Sequence, residues 1–193
     1  ACKHVIWDYN GTIVDDTALC IELLNDQLEL HGKPRITLEY YRSIFDFPLK
    51  TLYEKLGFVF GTEEFSGVNG AFLVEYQRRR KSCGLRPGVR EAIQACHDRG
   101  IGNSVLSAYT TPHLRDMIRY YGLEPLFDHI VGLDNTLAAG KIDEGRELVA
   151  SLGMPPSDIV LIGDTTHDYE VARAIGAGCL LLAGGYQEHD KLA

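Results

Sequence analysis

Five residues have side chains and spacings that could do chemistry at one place. Asp8 leaves the apolar run Val5-Ile6-Trp7 and enters the turn Tyr9-Asn10-Gly11-Thr12. A carboxylate at such an exit can act as a nucleophile or a metal ligand, and it is as often a simple turn residue. Ser107 closes Ser104-Val105-Leu106-Ser107-Ala108. A hydroxyl there, beside backbone N–H groups, can hold a phosphate oxygen, although a turn or cap serine is the commoner use of the pattern. Lys141 follows Gly140, and an ammonium at that edge would neutralise a phosphoryl group and an attacking carboxylate. Asp164 and Asp168 stand four residues apart in Gly163-Asp164-Thr165-Thr166-His167-Asp168. Such a pair can share a hard cation such as Mg²⁺, or the second acid can simply favour a helix N-terminus.

These residues need elements to position them. Short apolar runs at His4–Asp8, Ile101–Ser107, His129–Gly132, Asp158–Gly163 and Gly178–Leu182 predict buried parallel strands. Helical patterns lie between the later ones, at Val89–Arg99, Pro112–Tyr121, Glu144–Leu152 and His167–Ile175, and Gly100, Gly122, Gly153 and Gly176 fall where they should stop. The alternation implies an α/β fold, a doubly wound parallel sheet with helices on both faces. Ligands in such folds bind at the carboxyl ends of the strands, and that is where the candidate residues fall. Between residues 17 and 83 the alternation stops. Helical patterns fill the stretch at Thr17–His31, Leu38–Ile44, Leu49–Leu56 and Glu64–Lys81, with Phe58-Val59-Phe60 ambiguous. The simplest organisation is a helical insert over 17–83, in a core made of 1–16 and 84–193.

Composition narrows the classes. The chain has 193 residues, 45% hydrophobic and 24% charged, which is globular and long enough to bury a core without staples. A net charge of -8 argues against nucleic acid and anionic membrane as partners. A small anionic ligand stays compatible, because local charge can oppose net charge. The five cysteines are widely spaced with no Cys-x-x-Cys, which predicts reduced thiols in a cytoplasmic protein and no zinc site. No apolar run is long enough to span a bilayer, and Val5-Ile6-Trp7 is too short for a secretion signal.

Taken in order, Asp8, Ser107, Lys141 and Asp164 with Asp168 resemble the four motifs of the haloacid dehalogenase-like hydrolase superfamily, in its phosphoglycolate phosphatase-like subgroup. The resemblance covers nearly the whole chain, and the helical insert sits where that family places its first type of cap. It implies a Mg²⁺-dependent phosphatase for a small phosphorylated metabolite. Asp8 would attack phosphorus to form an aspartyl phosphate. Asp8, the backbone carbonyl of Asn10 and Asp164 would hold Mg²⁺, with Asp168 in support. Ser107, Ala108 and Lys141 would bind the transferring group. In the cap, Asp15 in the hinge Val14-Asp15-Asp16-Thr17 and Lys50 after Phe45-Asp46-Phe47-Pro48-Leu49 are the substrate-facing candidates, and Arg78-Arg79-Arg80-Lys81 is a basic run that reads best as a solvated helix end. Oligomeric state is left open.

One position departs from the pattern. The family's phosphatases carry a second aspartate two residues after the first, as general acid and base, and this chain has Asn10. An amide cannot exchange a proton at neutral pH, and such help is worth about 10²–10⁴-fold. Substrates with good leaving groups, such as aryl or acyl phosphates, would need it least. His167 and His113 are the nearest alternative proton donors by sequence. Phosphonatase and dehalogenase chemistry, and ligand binding with little turnover, stay open. A phosphonatase would need a Schiff-base lysine from the cap, for which Lys50 and Lys55 are available.

Overall fold

The computed structural model describes residues 1–60, 62–134 and 140–193, with backbone alone at 62–64. Strand β1 (His4–Trp7) is buried along its whole length. It is the middle strand of a parallel sheet ordered β5-β4-β1-β6-β7, with β4 at Gly102–Thr110, β5 at His129–Leu133, β6 at Ile159–Gly163 and β7 at Gly178–Leu181. Alternate side chains on a strand face opposite ways. Val5 and Trp7 therefore join one apolar cluster with Val105, while Ile6 joins another with Leu106, Ile159 and Leu161. Full burial of one such aliphatic side chain contributes about 1.5–3 kcal/mol, so both faces must be covered. Helices α5 (Val89–Asp98) and α6 (Thr111–Tyr120) cover the first with Ile93, Leu114 and Ile118. Helices α7 (Ile142–Leu152) and α8 (Thr166–Ile175) cover the second with Leu148, Val171 and Ile175.

The stretch that breaks the alternation forms α1 (Thr17–Leu30), α2 (Leu38–Ile44), α3 (Leu49–Lys55) and α4 (Thr62–Arg79). A two-stranded antiparallel ribbon, β2 (Val14–Asp15) with β3 (Gly84–Leu85), ties its two ends together. Leu19, Leu23, Leu28, Tyr41 and Leu52 of these helices belong to the same apolar cluster as Val5 and Trp7, so the helical segment shares its core with one face of the sheet.

The strands and helices lie within a few residues of the sequence expectation. Strand β4 runs three residues past Ser107, to Thr110. The ribbon was not foreseen, because two-residue strands carry no periodicity. Phe58-Val59-Phe60 is not a strand. Its Phe58 and Phe60 rings stack 5.2 Å apart beside Tyr53. All five cysteines are free thiols, and no described helix is long and apolar enough to cross a membrane.

Candidate active site

The carboxyl ends of β1, β4 and β6 and the first turns of α7 and α8 meet at one edge of the sheet. Asp8 directly follows β1 and is pinned by its N–H, which donates to the Ile162 carbonyl at 2.8 Å. Lys141 caps the start of α7 and is 2% exposed. Its ammonium donates to the Asp8 carboxylate and to the Leu106 carbonyl at 3.1 Å, and pairs with Asp168 Oδ1 at 2.8 Å. Three acceptors match the three N–H bonds of a lysine. Asp168 serves two purposes with its two oxygens. While Oδ1 faces Lys141, Oδ2 accepts the Asp164 and Thr165 N–H groups at 3.2 and 3.0 Å and the Thr165 hydroxyl at 2.7 Å, which completes a capping box at the start of α8. Asp168 thus favours the start of α8, which is one of its two readings from the sequence, and turns its other oxygen to Lys141.

Asp164 is fully buried. It accepts the Thr12 hydroxyl at 2.8 Å and the Tyr186 N–H at 2.7 Å. Its carboxylate lies against two glycines, and a Cβ on Gly11 or Gly185 would fall on its oxygens. Gly11 also has φ +75°, a conformation open to glycine at little cost. Asp8, Asp164 and Asp168 each offer an oxygen within 4.8 Å of the others. Two of these buried carboxylates, Asp8 and Asp168, share one ammonium, and Asp164 beside them has none among the described residues; the oxygens of all three are hard donors, which suits a cation such as Mg²⁺. The strain shows in the protonation equilibria. Burial pushes Asp8 up to about 7, against the pull of Lys141 and with the push of Asp168. Burial, then the charges of Asp8 and Asp168, push Asp164 well above the usual carboxylate range. Asp168 is also penalised by burial, but Lys141 and the Thr165 hydrogen bonds outweigh that and hold it low.

A cavity of about 130 Å³ opens above Asp8, between this edge and the helical segment, and Asn10, Ser107, Ala108, Lys141 and Asp168 line it. The Ser107 hydroxyl accepts the Tyr109 N–H at 3.1 Å. Asp8, Asn10, Ser107, Ala108, Lys141, Asp164 and Asp168, all named from the sequence, therefore meet in one place. His167 also lines the cavity, with Nε2 buried and unpartnered among the described residues. His113 does not line it and binds the Thr110 hydroxyl instead.

Two expected substrate residues lie elsewhere. Asp15 is exposed on the β2–β3 ribbon, because alternation buries Val14 and turns Asp15 outward. Lys50 is exposed, 3.9 Å from Glu54 on the next turn of α3, and does not line the cavity. Its placement follows from the helix, whose solvent face suits a long charged side chain.

The structure adds one acid that sequence reasoning passed over. Asp16 has no exposed surface. Its Oδ2 accepts the Asn10 amide at 2.7 Å, the Tyr76 hydroxyl at 2.7 Å and the Tyr186 hydroxyl at 3.0 Å, and its Oδ1 accepts the Gly11 N–H at 3.1 Å. The Asn10 amide also donates to the Tyr76 hydroxyl at 2.8 Å. Asn10 is thus turned toward a carboxylate that needs a donor, which an aspartate at that position could supply only while protonated. No local pattern in Val14-Asp15-Asp16 separates this acid from its neighbour.

Comparison with known proteins agrees with this arrangement. The chain matches the family model described as haloacid dehalogenase-like hydrolase over residues 5–182. It is 23% identical over 194 residues to the phosphoglycolate phosphatase of Synechococcus elongatus, covering 98% of this chain and 88% of that protein. It is 24% identical over 188 residues to the tyrosine-protein kinase PtkA of Mycobacterium tuberculosis, covering 96% of this chain and 64% of the kinase. Among solved structures, CbbY from Rhodobacter sphaeroides, in a variant with one aspartate changed to asparagine and in complex with xylulose-(1,5)bisphosphate, superposes with a TM-score of 0.73 at 19% identity, covering 100% of this chain and 91% of that one.

Proposed function

The chain belongs to the haloacid dehalogenase-like hydrolase family, and from that premise we propose that it is a Mg²⁺-dependent phosphatase of a small phosphorylated molecule, working through Asp8. The observation that carries this reading is the cluster of three mutually close buried carboxylates, two of them paired to Lys141 and exposed to the floor of the cavity. The relative named phosphoglycolate phosphatase supports phosphorus as the atom attacked.

In this reading Asp8, Asp164, the Asn10 carbonyl and, in support, Asp168 would hold Mg²⁺. When bound, the cation offsets the repulsion between two anions that must approach in line. Lys141 stands beside the Asp8 oxygen and neutralises both the nucleophile and the incoming phosphoryl group. The Ser107 hydroxyl and the Ala108 backbone receive phosphoryl oxygens. An Asp8 oxygen forms a bond to phosphorus as the bond to the leaving oxygen breaks, and water then hydrolyses the aspartyl phosphate to regenerate Asp8. Asn10 cannot protonate the leaving oxygen, so turnover of esters with basic leaving groups is slow.

The helical segment acts as a cap over this site, excluding water and choosing the substrate. A phosphonatase route would need a lysine of the cap in the cavity, and Lys50 and Lys55 are engaged outside it, by Glu54 and by Asp46. Small phosphorylated molecules are the partners; the net charge of -8 disfavours nucleic acid and anionic membranes.

The test is phosphate release with Mg²⁺ from aryl, acyl and alkyl phosphates, comparing the protein with Asp8→Asn. The expected result is release by the former, a phosphorylated Asp8 peptide after acid quench, and loss of about 10³-fold or more in the variant. Undiminished release in Asp8→Asn overturns the mechanism. Ligand-dependent stabilisation without release supports the binding-only alternative. Phosphate found on a hydroxyl acceptor and not in solution makes the protein a transferase.

A further inference from the structure

The phosphatase reading leaves the substrate open, and the far end of the cavity speaks to it. Opposite the charged floor, Leu24 of α1, Tyr41 and Phe45 of α2 and the turn after it, Leu49 and Leu52 of α3, and Phe72 of α4 close the space. Lys141 is the one lysine or arginine among the described lining residues, and positions 61–64 and 135–139 carry no basic side chain in the sequence. The other base in the wall, His167, faces Glu170 with Nδ1 at 3.3 Å, and burial holds its imidazole toward the neutral form, so its Nε2, unpartnered among the described residues, brings no full charge to the cavity.

Several polar atoms of the wall are spent on each other. The Tyr76 and Tyr186 hydroxyls both donate to Asp16, and the Tyr109 hydroxyl accepts from Arg80 at 2.7 Å. These rings therefore offer the cavity mainly their apolar faces. Asp16 itself is a buried acid whose five donors, Asn10, Gly11, Tyr76, Tyr186 and the Cys20 thiol, are all neutral. A second anionic group on the substrate would find no cation at this end and a carboxylate just behind the wall.

We propose that, as a phosphatase, this protein takes aryl phosphate monoesters whose ring carries no charge, in preference to phosphorylated carboxylic acids and bisphosphates. Aromatic walls suit a flat ring through edge and face contacts. The open space of about 130 Å³, which must also take the phosphoryl group at the floor, is of the order of the engineered apolar cavity, about 150 Å³, that binds benzene, so the leaving group can be no larger than about one ring. Asn10 points the same way by independent chemistry. A phenol ionises near pH 10, so phenoxide departs without the proton an alkoxide needs. In the step, the Asp8 oxygen bonds to phosphorus, the bond from phosphorus to the aryl oxygen breaks with its electron pair on that oxygen, and solvent water supplies its proton.

Two measurements with Mg²⁺ test the class. Calorimetry compares two non-hydrolysable probes, benzylphosphonate and 3-phosphonopropionate, the second carrying a carboxylate in place of the ring. Kinetics compare phenyl phosphate, 4-carboxyphenyl phosphate, acetyl phosphate and phosphoglycolate. The expected result is at least tenfold tighter binding of benzylphosphonate, and kcat/KM for phenyl phosphate at least tenfold above those for 4-carboxyphenyl phosphate and phosphoglycolate. Leu49→Lys, which places a cation at the apolar end, should narrow both gaps. Equal or tighter binding of 3-phosphonopropionate, or equal rates with and without the ring carboxylate, overturns the proposal. So does hydrolysis of acetyl phosphate without hydrolysis of phenyl phosphate. If benzylphosphonate is preferred while no compound is hydrolysed, the ligand class stands and the phosphatase reading falls.

Discussion

The two ends of the cavity are built on different principles. At the sheet edge the charged groups are held by several partners from separate elements. Lys141 from α7 reaches Asp8 after β1, Leu106 in β4 and Asp168 in α8, and Asp164 is gripped from Thr12 and Tyr186. At the opposite end the wall from α1 to α4 is mostly apolar contact, with the amide side chain of Asn69 among its lining residues and no fixed charge among those described. Low dielectric makes each charge at the floor strong when paired and costly when not, so that end tolerates almost no rearrangement. The apolar end is held by burial, which is non-directional, and can be reshaped to suit another leaving group. Asp16 sits on the seam, bonded to Asn10 from the floor and to Tyr76 from the helical segment.

The contrast breaks most visibly at Lys141. Lys141→Met leaves Asp8 and Asp168 buried without their cation. The expected result is loss of phosphate release and about 3–5 kcal/mol of stability by urea unfolding at pH 8. The loss should be smaller at pH 5.5, where Asp8, at about 7, is protonated. A stable Lys141→Met protein at pH 8 would show that the floor is not held as described.

The seam is tested at Asn10. Asn10→Asp sets a carboxylate where the amide now meets Asp16 at 2.7 Å, and two carboxylates at that range cannot both ionise. We expect about 1–3 kcal/mol of destabilisation at pH 8, largely recovered in Asn10→Asp/Asp16→Asn. That double variant should also gain about 10²-fold or more on alkyl esters, the lower end of general-acid help. Simple additivity of the two changes would remove the coupling.

A smaller effect separates proton from cation at the floor. Asp8 keeps its proton below about 7, and a cation must displace it. Apparent Mg²⁺ affinity should fall about tenfold, or about 1.4 kcal/mol, per pH unit below that point. The rise in Tm on adding Mg²⁺ should therefore be larger at pH 8 than at pH 6, and the reverse order would contradict the assignment of Asp8 as a ligand. Without cation the sign is opposite. The raised Asp8 favours the fold below its unfolded value of about 3.9, and that contribution is lost as pH rises through about 7.

The smallest change is expected at Lys50, which the structure places in solvent beside Glu54. Lys50→Ala should leave Tm and KM unaltered within error, since exposed pairs contribute little. A clear rise in KM would bring the helical segment's charge back into the site.

Much of this was legible in the chain itself. Val5-Ile6-Trp7 and Val160-Leu161-Ile162 read as strands because continuous apolar runs suit a sheet covered on both faces, and the polar residues that end those runs had to lie at the ligand-binding edge. Asp8, Ser107, Lys141, Asp164 and Asp168 could therefore be named, and their order pointed to the family. Asp16 could not be weighed against Asp15, because the two-residue strand that turns Asp15 outward, just before Asp16 opens α1, exists only by pairing with Gly84 and Leu85. Nor could the sequence show that Lys50 faces away or that Tyr76 and Tyr186 converge on one buried carboxylate from positions 110 residues apart. Residue type and local period determine which groups can do chemistry and which strand end presents them. Which groups share a proton, a charge or a cavity wall depends on long-range packing, where distances of a few ångströms are set by elements distant in the chain.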